Sequence, residues 1–443
     1  MEVVDLFEFT PINYQIGMQT EFNADTRTLT LTEKQMKVLE ELNSKLNFLE
    51  ITRKTLKPQN LVGVVAVEGL TLQILPKLLK TASYEELERK KRILIGNLIT
   101  MLSLGGEIPV KPSEIASIDL EQVPFLEVLI TVYTTKLLEV LKYHRYYTYR
   151  QIEEELNHVK GQINFAHYVT RWDRRHIIPI QHNERTMNNL LNRTLKYGSY
   201  LMARLTESRD NYRRLKSVMA ILDGVPVAPL TLHETYRIHF NRLNAVFEPL
   251  VELARIFIAG STLKLQKGSI KTFTFLLPME KVFEKFIAGI LTNPEYDIFS
   301  KDWGGVRVRS QHHIGTLLVE GEFRLIPDIT IETSSYRIVL DTKYKILKGE
   351  DKKLGVSQGD LYQMYAYATH WNADAVVLLY PSIIGELKKT WHFNVPTFEG
   401  IQKVPLFIRT VYLGHNFLGN GWKVFLGETR GILDEIISAL FQC

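Results

Sequence analysis

The sequence predicts an α+β chain of several domains: a β-rich N-terminal part, a helical middle, and a C-terminal α/β domain with a mixed sheet. Three observations carry this. Residues 1–82 hold short apolar runs broken by turn residues, residues 83–265 change to helical spacing, and residues 266–443 follow the order helix, three strands, helix, strand. A length of 443 residues is also long for one hydrophobic core.

In the first part, Thr32 is placed to cap a helix from Glu33 to about Ser44. The run "LVGVVAVEGLTLQILPKL" (61–78) reads as two strands joined at Glu68-Gly69. Ser83 can cap the run "YEELERKKRILIGNLITMLSL", whose first turn is acidic. "GGEIPVKPSE" (105–114) is a loop, and helices are expected over about 123–144, 183–209 and 240–260, with a basic stretch between the first two. In "LPMEKVFEKFIAGIL" (277–291), Val282, Phe283, Phe286, Ile287 and Ile290 share one helical face. Strands are expected at about 305–311, 317–331 and 336–345. A helix over about 357–371 and a buried strand "DAVVLLYP" (374–381) follow.

Composition narrows the function. The chain is 45% hydrophobic and 23% charged with a net charge of +5, which permits nucleic-acid contact without demanding it. Its one cysteine, Cys443, excludes a disulfide framework, a zinc knuckle or a cysteine-ligated iron–sulfur cluster within the chain. "MEVVDLFEF" has no basic segment leading an apolar one, and the apolar runs fall short of the ~20 residues of a membrane span. A cytoplasmic protein without membrane contact is expected.

The chemistry-bearing stretch is "RLIPDITIETSSYRIVLDTKYKIL" (324–347). Asp328 lies in one strand-like run and Asp341 in the next, with "TSSY" (333–336) as the turn, so antiparallel pairing brings the two carboxylates together. Two such groups repel, and a hard divalent cation with oxygen ligands suits them: Mg²⁺, with Mn²⁺ as a substitute. Lys343 stands two residues from Asp341 and shares its face of the strand, where it can help orient or deprotonate the attacking water and offset phosphate charge. Taken alone, "DTK" is a three-residue pattern that many proteins carry by chance, as a solvated strand face. Gln363 and Tyr367 are i and i+4 on the following helix. Glu280 and Glu284 flank the apolar stripe of the preceding one, and the helical wheel does not choose between them.

Other basic or histidine-bearing stretches are weaker. "HRYYTYR" (144–150), "RWDRRH" (171–176) and "RDNYRRLK" (209–216) could track phosphates, yet also read as helix ends or solvated faces. The histidines of "HETYRIH" (233–239) are six apart, whereas a shared helical face needs four, and His312-His313 point to opposite strand faces.

A helix with Glu, then "PD", "DTK" and Q-x-x-x-Y resembles the PD-(D/E)XK nuclease superfamily. More narrowly the chain is similar to the McrC family, the nuclease subunits of McrBC-type restriction systems directed at modified (5-methylcytosine) DNA. "VFEKFI" (282–287), "GLTLQILPKL" (69–78), "GQINF" (161–165) and "NERTMNNLLNRTLK" (183–196) carry that resemblance. It implies a Mg²⁺-dependent DNA endonuclease with Asp328, Asp341, the Thr342 carbonyl and Glu284 at the metal. Lys343 would assist the water, with Gln363 and Tyr367 orienting the scissile strand. It favours Glu284 over Glu280. It also implies double-stranded DNA as substrate and an McrB-like AAA+ GTPase ring as partner, stimulated through residues 1–82, where Lys77 is a candidate. The absence of G-x-x-x-x-G-K-[ST] agrees that any NTPase lies in another chain. The alternatives are a non-catalytic docking module for the ring, or a stand-alone RecB-like exonuclease without an iron–sulfur cluster.

Overall fold

The structure is a computed structural model that describes residues 2–77, 90–115, 123–170, 174, 176–261, 272–300, 303–347, 351–382, 385–397 and 400–441. Its contacts divide the chain into two compact units, Met1–Phe125 with Phe275–Cys443, and Leu126–Thr274. The first unit thus joins both ends of the chain, whereas changes in sequence character suggested cuts near 82 and 265.

In the first unit, the helix Glu33–Leu46 starts at Thr32, whose hydroxyl accepts from the Gln35 N–H while the Gln35 side chain returns to the Thr32 N–H. The predicted hairpin forms from Leu61–Val67 and Leu70–Leu75, paired antiparallel, and Glu2–Phe7 adds in parallel on Leu70–Leu75. A second, five-stranded sheet has the order Glu21–Asn23, Thr28–Leu31, Ile12–Ile16, Thr55–Pro58, Leu49–Ile51. The next described helix is Lys91–Leu104, and Ser83, its expected cap, lies outside the described residues. Its buried Asn97 donates to the Leu413 and His415 carbonyls and accepts from the Phe417 N–H, so an apolar helix is pinned by one satisfied amide.

The C-terminal part of this unit holds a six-stranded mixed sheet. Its order is Arg307–Ser310, Ile329–Glu332, Arg337–Thr342, Ala375–Ser382, Gly400–Tyr412, Lys389–Thr397. Arg337–Thr342 pairs antiparallel with Ile329–Glu332 and parallel with Ala375–Ser382. The helix Met279–Thr292 buries Val282, Phe283, Phe286, Ile287 and Ile290, the five positions that share its apolar face. Full burial stabilises by about 1.5–3 kcal/mol for each such side chain. Gln358–Trp371, capped by Ser357, packs Met364, Tyr367 and Ala368 with Val339, Val376 and Leu378 of the sheet.

Three expectations need correction here. The run 317–331 is not one strand: Gly315–Thr316 and Arg324–Leu325 form a small hairpin, and Ile329–Glu332 begins only after Pro327-Asp328. Gly321 sits at φ 87 in the connection, a conformation that ends extended pairing. The second unit is not purely helical, because Thr148–Leu156 and Ile178–Thr186 pair antiparallel over nine residues, with Gln162–Ile163 alongside. Five of the nine residues in Thr148–Leu156 are exposed and none is buried, so no apolar alternation marked the strand. The helix expected over 183–209 is Leu190–Leu205, capped by Asn189, because 183–186 belong to the strand.

Within the second unit, the helices Phe125–Tyr143, Leu190–Leu205, Arg209–Ile221 and Glu248–Ser261 pack together. A Cβ at Gly198 would meet the Ala254 Cβ at 2.8 Å, so glycine there lets two helices approach closely. Glu127 accepts from the Thr206 hydroxyl and the Glu207 N–H, and from the Asn211 amide, organising the start of Arg209–Ile221. Among the described residues, no helix is long and apolar enough to cross a membrane.

Candidate active site

The site begins with a turn. The Thr333 N–H donates to the Tyr336 carbonyl at 2.9 Å, and the Thr333 hydroxyl accepts from the Tyr336 N–H at 2.9 Å. That closure fixes the register Ile329↔Leu340, and one step further brings Asp328 beside Asp341. Asp328 Oδ2 accepts both the N–H and the hydroxyl of Thr342, each at 2.8 Å. Thr342, whose carbonyl is the expected ligand, also pairs with Leu379 in the sheet.

Asp341 is only 1% exposed. Its Oδ2 lies 2.6 Å from Lys343 Nζ, an ion contact without hydrogen-bond alignment, and its Oδ1 has no partner at all. Burial, then the Asp328 charge, pushes the Asp341 carboxyl up to about 7, against the pull of Lys343. The same surroundings act on the lysine. Burial lowers the Lys343 pKa, but Asp341, Asp328 and Asp360 outweigh it and raise the value. The side chain therefore starts as a proton donor rather than a base.

A chain of hydrogen bonds holds that ammonium. Lys343 donates to Gln363 Oε1 at 3.1 Å, Gln363 Nε2 donates to the Tyr367 hydroxyl at 2.8 Å, and that hydroxyl donates to the Ile326 carbonyl at 3.1 Å. The i, i+4 pair on the helix thus reaches both the lysine and the residues preceding Asp328. Six of the expected residues, Asp328, Asp341, Thr342, Lys343, Gln363 and Tyr367, are brought into one connected set.

Glu284 is placed at its edge. Burial and the Asp328 charge raise its pKa, and its Oε1 accepts from the Gln311 amide. Gln311 Nε2 also lies 3.4 Å from Asp328 Oδ1, and its N–H donates to the Asp328 carbonyl at 2.8 Å. Gln311 therefore stands between the two acids, in a left-handed backbone conformation of φ 49. Nothing in "RSQHH" signals that role. Glu280, by contrast, acts on Glu8. His312 lies 3.1 Å from Arg309 and 3.4 Å from the Thr330 hydroxyl.

A divalent cation can be tested against these donors. A buried carboxylate oxygen without a partner, beside a second carboxylate, is a pair that a cation would satisfy and that otherwise costs free energy. Among the described residues, no group of three or more His, Cys, Asp or Glu is drawn together tightly enough to cage a metal. Two carboxylates suit Mg²⁺, which keeps several waters and shares its shell with substrate phosphates. The site is compatible with Mg²⁺ on Asp328 and Asp341.

The remaining candidates lie elsewhere. Tyr149 of the 144–150 region is strongly exposed, as is Tyr143 just before it, and Arg185 stacks 3.8 Å from the Tyr147 ring centroid. Arg213 and Asp210 pair on the exposed face of Arg209–Ile221. In "RWDRRH", residues 171–173 and 175 lie outside the described residues. A cleft of about 520 Å³ along Glu386, Lys388, Tyr412, Glu428 and Glu435 contains none of the site residues.

Residues 56–381 match the sequence profile of the McrBC 5-methylcytosine restriction system component. The chain superposes on a chain of the half-complex refined from a tetradecameric assembly of Thermococcus gammatolerans McrB AAA+ hexamers with bound McrC, with a TM-score of 0.72 and 20% identity. That match covers 98% of this chain and 100% of the other. A structure of the Thermococcus gammatolerans McrBC complex matches with a TM-score of 0.51 and 20% identity, over 66% of this chain and 87% of that one. A search of curated proteins finds no match.

Proposed function

From the premise that this chain belongs to the family of McrBC 5-methylcytosine restriction system components, we propose that it is the DNA-cutting subunit of such a system. The observation that carries the reading is the pair Asp328 and Asp341, one with an unpartnered buried oxygen, with Lys343 on the same strand. We read the six-stranded sheet and its two helices as a PD-(D/E)XK core and the reaction as phosphodiester hydrolysis of double-stranded, modified DNA.

Mg²⁺ (or Mn²⁺) on Asp328 and Asp341, with the Thr342 carbonyl as a further ligand, would supply an acidified water and charge stabilisation at the scissile phosphate. Lys343, kept protonated by its acidic neighbours, places a positive charge where negative charge develops. Gln363 and Tyr367 hold that ammonium in place from the neighbouring helix. Glu284 and Gln311 fix Asp328 from the other side.

The partner in this reading is an McrB-like AAA+ GTPase ring, since the similar Thermococcus gammatolerans structure is an assembly of McrB AAA+ hexamers with bound McrC. Residues 1–82 would engage and stimulate the ring, with Lys77 a candidate, and the complex would work in the cytoplasm. The test mixes the chain with its AAA+ partner, GTP and methylated DNA, in Mg²⁺ or in EDTA. Cleavage confined to the Mg²⁺ reaction is expected. Equal cleavage in EDTA, or none with an active partner, would remove the nuclease assignment.

A further inference from the structure

Glu8 has no exposed surface, and the chemistry above makes no use of it. It follows the strand Glu2–Phe7, and its N–H donates to the Leu75 carbonyl at 3.0 Å, extending the parallel pairing by one step. Its side chain then continues the work of the sheet. Oε2 accepts from the Lys77 N–H at 3.2 Å, satisfying a backbone group just beyond the strand, and from the Tyr344 hydroxyl at 2.9 Å. Oε1 has no partner. The Lys77 N–H needs only an acceptor, and any neutral one would serve. A buried carboxyl is an expensive choice for that purpose alone.

What distinguishes Glu8 is where its second hydrogen bond leads. Tyr344 directly follows Lys343, whose N–H is held by the Leu379 carbonyl at 2.9 Å. The Tyr344 ring packs 6.0 Å from that of Phe283, the residue before Glu284. A single carboxyl therefore touches the end of the hairpin Leu61–Leu75 and, through one tyrosine, both elements that carry Lys343 and Glu284. All of these residues belong to the same compact unit.

We propose that Glu8 is a positioning residue. Through Tyr344 it sets where the chain leaves the strand Arg337–Thr342, and hence where Lys343 sits. Through the Lys77 N–H it couples that placement to the end of the N-terminal hairpin. The inference rests on the nuclease reading for its functional consequence, while the tie itself is a property of the fold. Displacement of a reacting group by about 1 Å costs up to ~100-fold in rate, so loosening the tie is a rate effect rather than an affinity effect.

The test measures steady-state DNA cleavage by the full chain with its AAA+ partner, alongside thermal melting, for wild type, E8A, E8Q, Y344F and E8A/Y344F. E8A and Y344F should each lower kcat about tenfold, with KM for DNA changed less than about twofold. The double variant should be no worse than either single one, because both break the same link. E8Q keeps an acceptor oxygen for both donors and should restore kcat to within about twofold of wild type. Additive losses, a defect confined to KM, or unchanged kcat in Y344F would overturn the proposal. If the wild type itself fails to cut, the nuclease reading falls instead. The tie is then judged on melting temperatures of the same proteins, where additive effects of E8A and Y344F overturn it.

Discussion

Replacing Asp341 by Asn should stabilise the metal-free protein at alkaline pH while abolishing cleavage. A carboxyl that ordinarily titrates near 3.8 is held up to about 7 by burial and by Asp328. The stability it contributes is full below pH 3.8 and is lost as pH rises through about 7, because the unfolded chain gives up its proton first. Taking ~1.4 kcal/mol for each pH unit between those values, ionisation costs at most about 4 kcal/mol at pH 8. Asn carries no such cost, and with a few degrees of melting temperature per kcal/mol the variant should melt higher by up to about 10 °C. The assay is thermal melting from pH 4 to pH 8, in EDTA and in Mg²⁺. The two proteins should converge near pH 4 and separate towards pH 8 in EDTA. Mg²⁺ should raise the wild type and leave the variant unmoved, since a cation binds the ionised pair. A variant that melts below wild type at pH 8 in EDTA, or an equal Mg²⁺ response in both, would refute the reasoning.

Further outcomes follow from the same geometry. Tyr367→Phe removes the hydroxyl between Gln363 and Ile326 and should lower the cleavage rate about tenfold with little change in melting; a wild-type rate would remove it from the site. Glu8, pushed up to about 7 by burial, costs stability as pH rises from 4.5 through 7, so Glu8→Gln should flatten the pH dependence of melting over that window. An unaltered pH profile would show that Glu8 ionises freely. Gly289→Ala should destabilise the first unit by about 1–3 kcal/mol, because the new Cβ would lie 2.1 Å from the Leu104 carbonyl oxygen. Denaturant titration checks this, and an unchanged midpoint would mean that the helices separate at no cost.

Several elements were legible in the sequence because a local rule decided them. Thr32 with Gln35 forms the expected cap, Glu68-Gly69 makes the expected hairpin turn, and the stripe of Met279–Thr292 is buried. The two-residue spacing of Asp341 and Lys343 also placed both on the face that meets Gln358–Trp371. What was missed depended on long-range pairing. Thr148–Leu156 is a strand with no buried residue, so its partner Ile178–Thr186, and not an apolar pattern, defines it. The strands Lys389–Thr397 and Gly400–Tyr412 and the helix Gly421–Phe441 complete the sheet domain beyond the last motif read. Gln311 and Glu8 act through contacts 17 to 336 residues away in sequence, and no spacing rule reaches so far.

The most direct measurement follows DNA cleavage and partner NTP turnover in one reaction, for wild type and Lys343→Ala assembled with the AAA+ ring. If Asp328, Asp341 and Lys343 form the cutting centre, the variant should lose at least about a hundredfold in cleavage, the scale of one charge-stabilising group, while NTP turnover stays at the wild-type rate. Cleavage by the Lys343→Ala complex at the wild-type rate, with the ring equally active, would place the cutting chemistry elsewhere.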